Sequence, residues 1–257
     1  MPSPAPQRLS SVTAALRLLK EFSAEEPEFG ITALSKRTGL AKSTVHRLAT
    51  TLVAEGFLEQ NTSDDRYRLG LTLFSLGTLV RLRMDVSRQA LAHLDVLRDQ
   101  TSETVHLAVL EQSDIMYLYN LDSPQAIRTR SYLGMRKPAF CTSEGRAILA
   151  FSPAPLIQRV LHEPLQARTS KTTIDIRELL KTLSAVREKG YALDDEESEE
   201  GMRGISAPIR DASGAVVAAV GIAGPAQRLT KTSLRHFIPH VTQAAQNISA
   251  RLGHSSL

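Results

Sequence analysis

Lys42, Ser43, Thr44, His46 and Arg47 fall within six consecutive positions, broken only by the apolar Val45. If the segment is a helix, Val45, Leu48 and Leu52 share its buried face, and these five side chains stand off it near the N-terminal end. There the positive end of the dipole and the free backbone amides favour phosphate. The chemistry on offer is therefore anion binding and contact with base edges in a major groove.

The elements that must position these groups are written around them. Ile31 to Glu59, ITALSKRTGLAKSTVHRLATTLVAEGFLE, spells two short helices about a glycine turn and then a strand start. Thr32 is the expected N-cap of the first helix, and Gly39 suits the left-handed position just past its end. That is a helix-turn-helix. Phe57 to Gly70, FLEQNTSDDRYRLG, follows as a hairpin with its tip at Asn61 to Arg66, a wing whose Arg66 can reach a DNA backbone. Arg68 carries a weaker expectation, since an arginine on an edge strand also serves solubility.

Charge supports this locally. The chain holds 31 basic and 27 acidic residues, a net +4 that does not by itself argue for nucleic acid. Between Phe29 and Ala54, however, Lys36, Arg37, Lys42 and Arg47 are met by no acidic residue.

AKSTVHRL, GFLEQN and YRLGLTLFSLG together resemble the N-terminal half of the IclR family of bacterial transcription regulators. RKPAFCTSEGRAILA (Arg136 to Ala150) and GYALDDEESEEGMRGISAPIRDASGAVVAAVGIAGP (Gly190 to Pro225) resemble that family's effector domain, so the likeness spans nearly the whole chain in order. It implies an α+β protein: a winged helix-turn-helix over residues 1–70, a linker helix over 71–84, and a GAF-like effector-binding domain over 85–257. It also implies a homodimer or a dimer of dimers on double-stranded operator DNA, with repression the commoner mode.

The periodicity agrees. Residues 1 to 7, MPSPAPQ, read as an irregular arm, and a first helix is expected from about Ser10 to Ser23. Leu73, Leu76 and Val80 mark the linker helix, and another helix runs from Asp85 to about Thr101. Val105, Leu107 and Val109, then Ile115, Tyr117, Tyr119 and Leu121, alternate as an antiparallel pair turning at Gln112 to Asp114. Further strands are expected at Ile127 to Tyr132, Ala192 to Asp195, Ile205 to Arg210 and Val216 to Ile222. Helices are expected at Ser143 to Phe151, Asp175 to Lys189 and Thr230 to Leu252. Asp211 to Gly214 is a turn. No run is long and apolar enough for a membrane span, MPSPAPQ lacks the features of a signal peptide, and a single cysteine excludes an internal disulfide, so a cytoplasmic protein is expected.

The second half offers binding rather than catalysis. No phosphate loop, paired-cysteine metal pattern or nucleophile elbow is present, so no catalytic residue, metal or cofactor is expected. The alternative is a ligand-handling enzyme with an accessory DNA-binding domain, using Cys141 as nucleophile and His106 as base. Nothing in the sequence places those two together. His236 and His240 stand at i, i+4, but Pro239 disturbs their turn and no third ligand is evident.

A small organic acid is the expected ligand. The resemblance implies a pocket built from Gly134, Met135 and the segment Cys141 to Gly145 with its Thr142, from the acidic loop with Asp194 and Glu197 of a Y-A-x-D-x-x-E pattern, and from the strands that follow. Asp194 would orient the ligand, and Thr142 would cap a helix whose amide end suits an anion. Gly204 stands where the family often has cysteine, Gly221 and Ala223 where it often has serine, and Arg146 where it usually has lysine; Ser206 retains a hydroxyl. Two readings of those small residues stay open. They either enlarge the pocket toward a bulkier, aromatic acid walled by Tyr117, Tyr119, Met116 and Met135, or merely ease strand packing.

Overall fold

The computed structural model describes residues 10–255, which divide into two units meeting between Arg83 and Met84. The expected arm at residues 1 to 7 lies outside the described residues. In the first unit, α1 (Ser10–Leu19), α2 (Ile31–Thr38) and α3 (Lys42–Ala54) enclose the fully buried Leu18, Leu34, Val45 and Ala49. Gly39 ends α2 with a left-handed φ of 71°, its N–H donating to Ser35 O at 3.0 Å. Thr32 is not the cap. The N–H groups of Ala33 and Leu34 both donate to Gly30 O at 3.1 Å, which starts the helix at Ile31 and leaves Thr32 inside it.

The wing forms as expected from β2 (Leu58–Gln60) and β3 (Tyr67–Leu69), its tip closed by Asn61 N–H donating to Arg66 O at 2.8 Å. A third strand, β1 (Glu28–Phe29), pairs with β3 from the other side and is too short for any alternation to announce it. β3 passes directly into α4 (Leu71–Arg83) through Gly70. A Cβ on Gly70 would sit 2.2 Å from the Gly56 carbonyl oxygen, so glycine is required for the backbone to pass this close. α4 buries none of its side chains within one chain: Leu71, Phe74, Leu79 and Leu82 are 74%, 69%, 64% and 57% exposed.

In the second unit, α5 (Asp85–Thr101) leads into β4 (Thr104–Glu111), β5 (Asp114–Leu121), β6 (Arg136–Pro138), α6 (Ser143–Leu149), α7 (Ala154–His162) and α8 (Ile176–Lys189). β7 (Ala192–Asp195), β8 (Met202–Arg210), β9 (Val216–Pro225) and α9 (Lys231–Arg251) complete it. The six strands lie in the order β6-β5-β4-β9-β8-β7, each pair antiparallel. α5 and α9 cover one face through Leu94, Leu97, Val241 and Ile248. Ile148, Leu179 and Leu183 of α6 and α8 pack over the other. This is the expected α+β arrangement, with apolar surface buried on both sides of one sheet. α9 runs through Pro239 without ending.

Besides α7, a helix that no sequence expectation covers, two features differ from expectation. Ile127 to Tyr132 is no strand but part of an irregular strap from Asp122 to Met135, and the edge strand is instead β6. Thr129 and Ser131 of the strap line the cavity described below. The second feature is a bulge. Leu107 pairs with Tyr119 but Ala108 pairs with Tyr117, so Leu118 is an extra residue that reverses the phase of β5.

Candidate functional site

On α3 the expected DNA-facing residues Lys42, Ser43, Thr44, His46 and Arg47 are all exposed, while Val45 between them is fully buried. Ala41 precedes the helix and makes no side-chain cap, so the first-turn amides are not taken by a capping side chain. No ion pair within the described residues engages Lys42 or Arg47. The neighbouring Arg37 is different. It is held by Glu21 at 3.1 Å and Glu26 at 2.6 Å and lies over the Phe29 ring, so half of the basic pair on α2 is already neutralised. At the wing tip Arg66 is 58% exposed and 3.6 Å from Asp64, a loose pair that phosphate can replace; Arg68 is closed against Glu59 at 2.9 Å.

In the second unit, α6, β4, β7 and β8 bring polar side chains together over the sheet. His106 Nδ1 lies 3.0 Å from Glu144 Oε1, and His106 Nε2 lies 2.7 Å from Ser131 Oγ on the strap. His106 and Glu144 are 2% and 3% exposed. Burial drives the Glu144 carboxyl upward, but the hydrogen bond and charge of His106 outweigh it and hold the group below its ordinary range. Tyr117 stacks on the imidazole at 4.2 Å, and burial beside Glu144 and Asp194 keeps its phenol protonated.

Asp194, on β7 and 6% exposed, accepts from the N–H groups of Glu197 at 2.8 Å and Ser198 at 3.2 Å and from Ser198 Oγ. Burial nevertheless pushes its carboxyl up to about 6, with the nearby Glu144 charge acting the same way against those hydrogen bonds. Because the folded value lies above the unfolded one near 3.9, the native state binds the extra proton. The associated stability is complete below about pH 4 and is lost as pH rises through about 6, a swing of about 3 kcal/mol. Asp194→Asn is therefore expected to remove this pH dependence. Urea midpoints of both proteins at pH 5 and pH 8 check it, and equal pH responses would show that Asp194 is not the group responsible.

These groups line a small, partly open cavity of about 20 Å³, room for roughly one water. Of the residues expected there, Tyr117, Thr142, Asp194, Gly204 and Ala223 line it. Ser206 reaches it through Ser143, Oγ to Oγ 2.8 Å, and Thr142 Oγ1 caps α6 by accepting from Gly145 N–H at 3.2 Å. Others are elsewhere. The β5 bulge puts Tyr119, with Met116, against the α5–α9 core on the opposite face of the sheet from Tyr117. Gly134 and Met135 end the strap: Gly134 N–H donates to Tyr117 O at 2.8 Å and Met135 packs into the core rather than the cavity.

Glu197 is committed to the scaffold. Arg146 binds both its oxygens, at 2.5 and 2.6 Å, and Thr173 N–H donates to Oε2 at 3.0 Å, so three of its roughly four acceptor sites are taken within the chain. Arg146 also donates to Phe140 O at 2.8 Å and Leu193 O at 3.3 Å. Gly204 and Gly221 do not enlarge the cavity. A Cβ on Gly221 would lie 2.0 Å from Ser206 Oγ, and one on Gly204 would lie 2.9 Å from Ser143 Oγ, so each gives its space to a serine hydroxyl and to strand packing.

Cys141 is fully buried, its thiol turned to Pro138 O at 3.7 Å and pushed up to about 12 by burial. Both nitrogens of His106 are engaged elsewhere, so the nucleophile and base of the enzyme alternative do not form a pair. His236 and His240 stack edge-on, ring centroids 5.7 Å apart, and among the described residues no group of three ligands that could hold a metal occurs. A wider groove of about 270 Å³ between α5 and α9 contains His93 and His240 but no carboxylate.

The IclR helix-turn-helix domain matches residues 11–62, and the bacterial transcriptional regulator IclR C-terminal domain matches residues 79–250. The chain belongs to the IclR family. It is 35% identical over 250 residues to the HTH-type transcriptional regulator KdgR of Escherichia coli (strain K12), covering 97% of this chain and 95% of that one. The transcriptional repressor IclR of the same organism is 29% identical over 254 residues, with 98% and 93% covered. A crystal structure of an IclR homolog complexed with 4-hydroxybenzoate, from Microbacterium hydrocarbonoxydans, matches with a TM-score of 0.83 at 27% identity, covering 96% of this chain and 100% of that one. As an IclR-family member, the chain is a helix-turn-helix transcriptional regulator with an effector-binding second half. Among its described residues no helix is long and apolar enough to cross a membrane.

The sequence marks His106 only as a partner for Cys141, places Ser143 and Glu144 in the pocket segment without a role for either, and does not single out Ser131. One signal was available: a glutamate between Ser143 and Gly145 in an otherwise small and apolar run needs a buried partner.

Proposed function

We propose that this regulator acts in the cytoplasm as a homodimeric repressor whose operator affinity is set by a small organic acid bound beside Asp194. The observation that carries the reading is the coexistence, on one chain, of an unpaired cationic face on α3 and a buried polar cavity whose carboxylate is held ready by backbone amides. α3 reads base edges through Lys42 to Arg47, and Arg66 takes a phosphate beside them. α4 supplies dimer contacts, since a helix with four large apolar side chains more than half exposed needs a second copy of itself. The ligand acts by preferring one arrangement of the effector half, which shifts the population competent to hold two half-sites.

Selection of binding sites from a random DNA library, together with sedimentation of the free protein, tests this without knowledge of the ligand. Enrichment of an inverted repeat by a species of twice the chain mass is the expected result. A monomer, or enrichment of an unrepeated site, removes the dimer reading. Selection without any enrichment removes the repressor reading altogether.

A further inference from the structure

The cavity beside Asp194 is filled by the chain's own hydroxyls. Ser131 Oγ lies 2.7 Å from His106 Nε2 and 2.7 Å from Thr129 Oγ1, Ser143 Oγ donates to Glu144 Oε2 at 3.2 Å, and Ser198 Oγ donates to Asp194. Three buried groups that demand partners, an imidazole and two carboxylates, are thus each answered by a serine. Ser143 is fixed on α6, whereas Ser131 lies on the strap and Ser198 on the loop after β7, both outside regular structure.

Anything larger than one water enters only by displacing the strap and loop hydroxyls. It then faces His106, Glu144 and Asp194 without their partners, and a buried polar group left unpaired carries its full desolvation penalty. An apolar or aromatic ring offers those groups nothing. A chain of hydroxyls replaces like with like: carboxylates accept from hydroxyls, and the imidazole donates or accepts according to its tautomer.

A cation for an acid is also at hand. Lys137 Nζ, mostly buried, pairs at 2.9 Å with Glu199, which is itself 46% exposed and therefore an exchangeable partner. Arg203 is less free, held by Asp195 at 2.5 Å and by two backbone carbonyls.

We propose that the effector is a polyhydroxylated carboxylate of about the size of a five- or six-carbon aldonic acid. Its hydroxyls take the places of Ser131 and Ser198 against His106 and Asp194, and its carboxylate takes Lys137 from Glu199. This rests on the effector role proposed above and names the ligand class for it. Tyr117, flat against His106, supplies the one aromatic surface for the C–H face of such a chain.

Calorimetric titration and thermal shift of the full-length protein with gluconate, galactonate and ribonate test the proposal, with hexanoate, 4-hydroxybenzoate and pyruvate as comparisons. Hexanoate has the carbon count of gluconate without its hydroxyls. At least one aldonate is expected to bind about tenfold tighter than any comparison acid. Asp194→Asn is expected to weaken that aldonate by about tenfold, while Ser131→Ala, by removing the hydroxyl that competes for His106, is expected to tighten it severalfold. Tighter binding by 4-hydroxybenzoate or pyruvate overturns the hydroxylated ligand and leaves the effector role standing. Absence of binding by every aldonate, or weakening by Ser131→Ala as large as by Asp194→Asn, also overturns it.

Discussion

Arg146→Ala is expected to destabilise the second unit by about 3–5 kcal/mol, the range seen when one partner of a buried ion pair is removed. The side chain is 4% exposed and its partner Glu197 14% exposed, so water does little to repair the loss. Four bonds go at once: two to the Glu197 carboxylate and one each to the carbonyls of Phe140 and Leu193. Burial pushes the Glu197 carboxyl up, and it is chiefly Arg146 that holds it below the ordinary range. Without Arg146, Glu197 must take up a proton or leave. Arg146→Lys is expected to recover only part of the stability, because one ammonium cannot span a forked carboxylate and two carbonyls. Urea unfolding at neutral pH measures both variants, and a loss below about 1 kcal/mol for alanine would mean that the loop after β7 relaxes into water at little cost.

Arg47→Ala is expected to lower affinity for the selected operator by about 1–3 kcal/mol, if the arginine contacts a base edge, and to relax preference at that base pair. Lys42→Ala is expected to act differently: affinity falls on every sequence alike, and the salt dependence of binding loses about one counterion. Both side chains are exposed and make no ion pair among the described residues, so the melting temperature of either variant should match the parent. Titrations of operator and scrambled duplex at two salt concentrations separate the roles. Identical losses on both duplexes for Arg47→Ala would reassign that residue to the phosphates.

The helix-turn-helix was legible because its instructions are local. Gly39 needs only its own φ, and the Val45 stripe needs only helical spacing. What failed to show were features decided at a distance. The β5 bulge hides in an unbroken apolar alternation, and one extra residue at Leu118 sends Tyr119 to the wrong side of the sheet for the cavity. Ile127 to Tyr132 has the composition of a strand, yet it pairs with no neighbouring strand; Ser131 bonds His106, and Thr129 bonds Ser131. His106 and Glu144 are 38 residues apart and meet only once α6 packs on β4. The glycines leave two readings open for a related reason. Smaller residues suggested empty space, whereas Ser143 and Ser206, drawn together across the same gap, had already taken it.

The junction at Gly70 has a mechanical consequence. The wing strand ends at Leu69, the helix begins at Leu71, and the single residue between them is clamped against Gly56 with its N–H donated to Phe57 O at 2.8 Å. There is no slack in which a twist could be absorbed. α4 and the wing must therefore turn as one lever, with a helix of roughly 20 Å as its arm. A rotation of α4 is therefore expected to carry the wing, and Arg66 at its tip, with it.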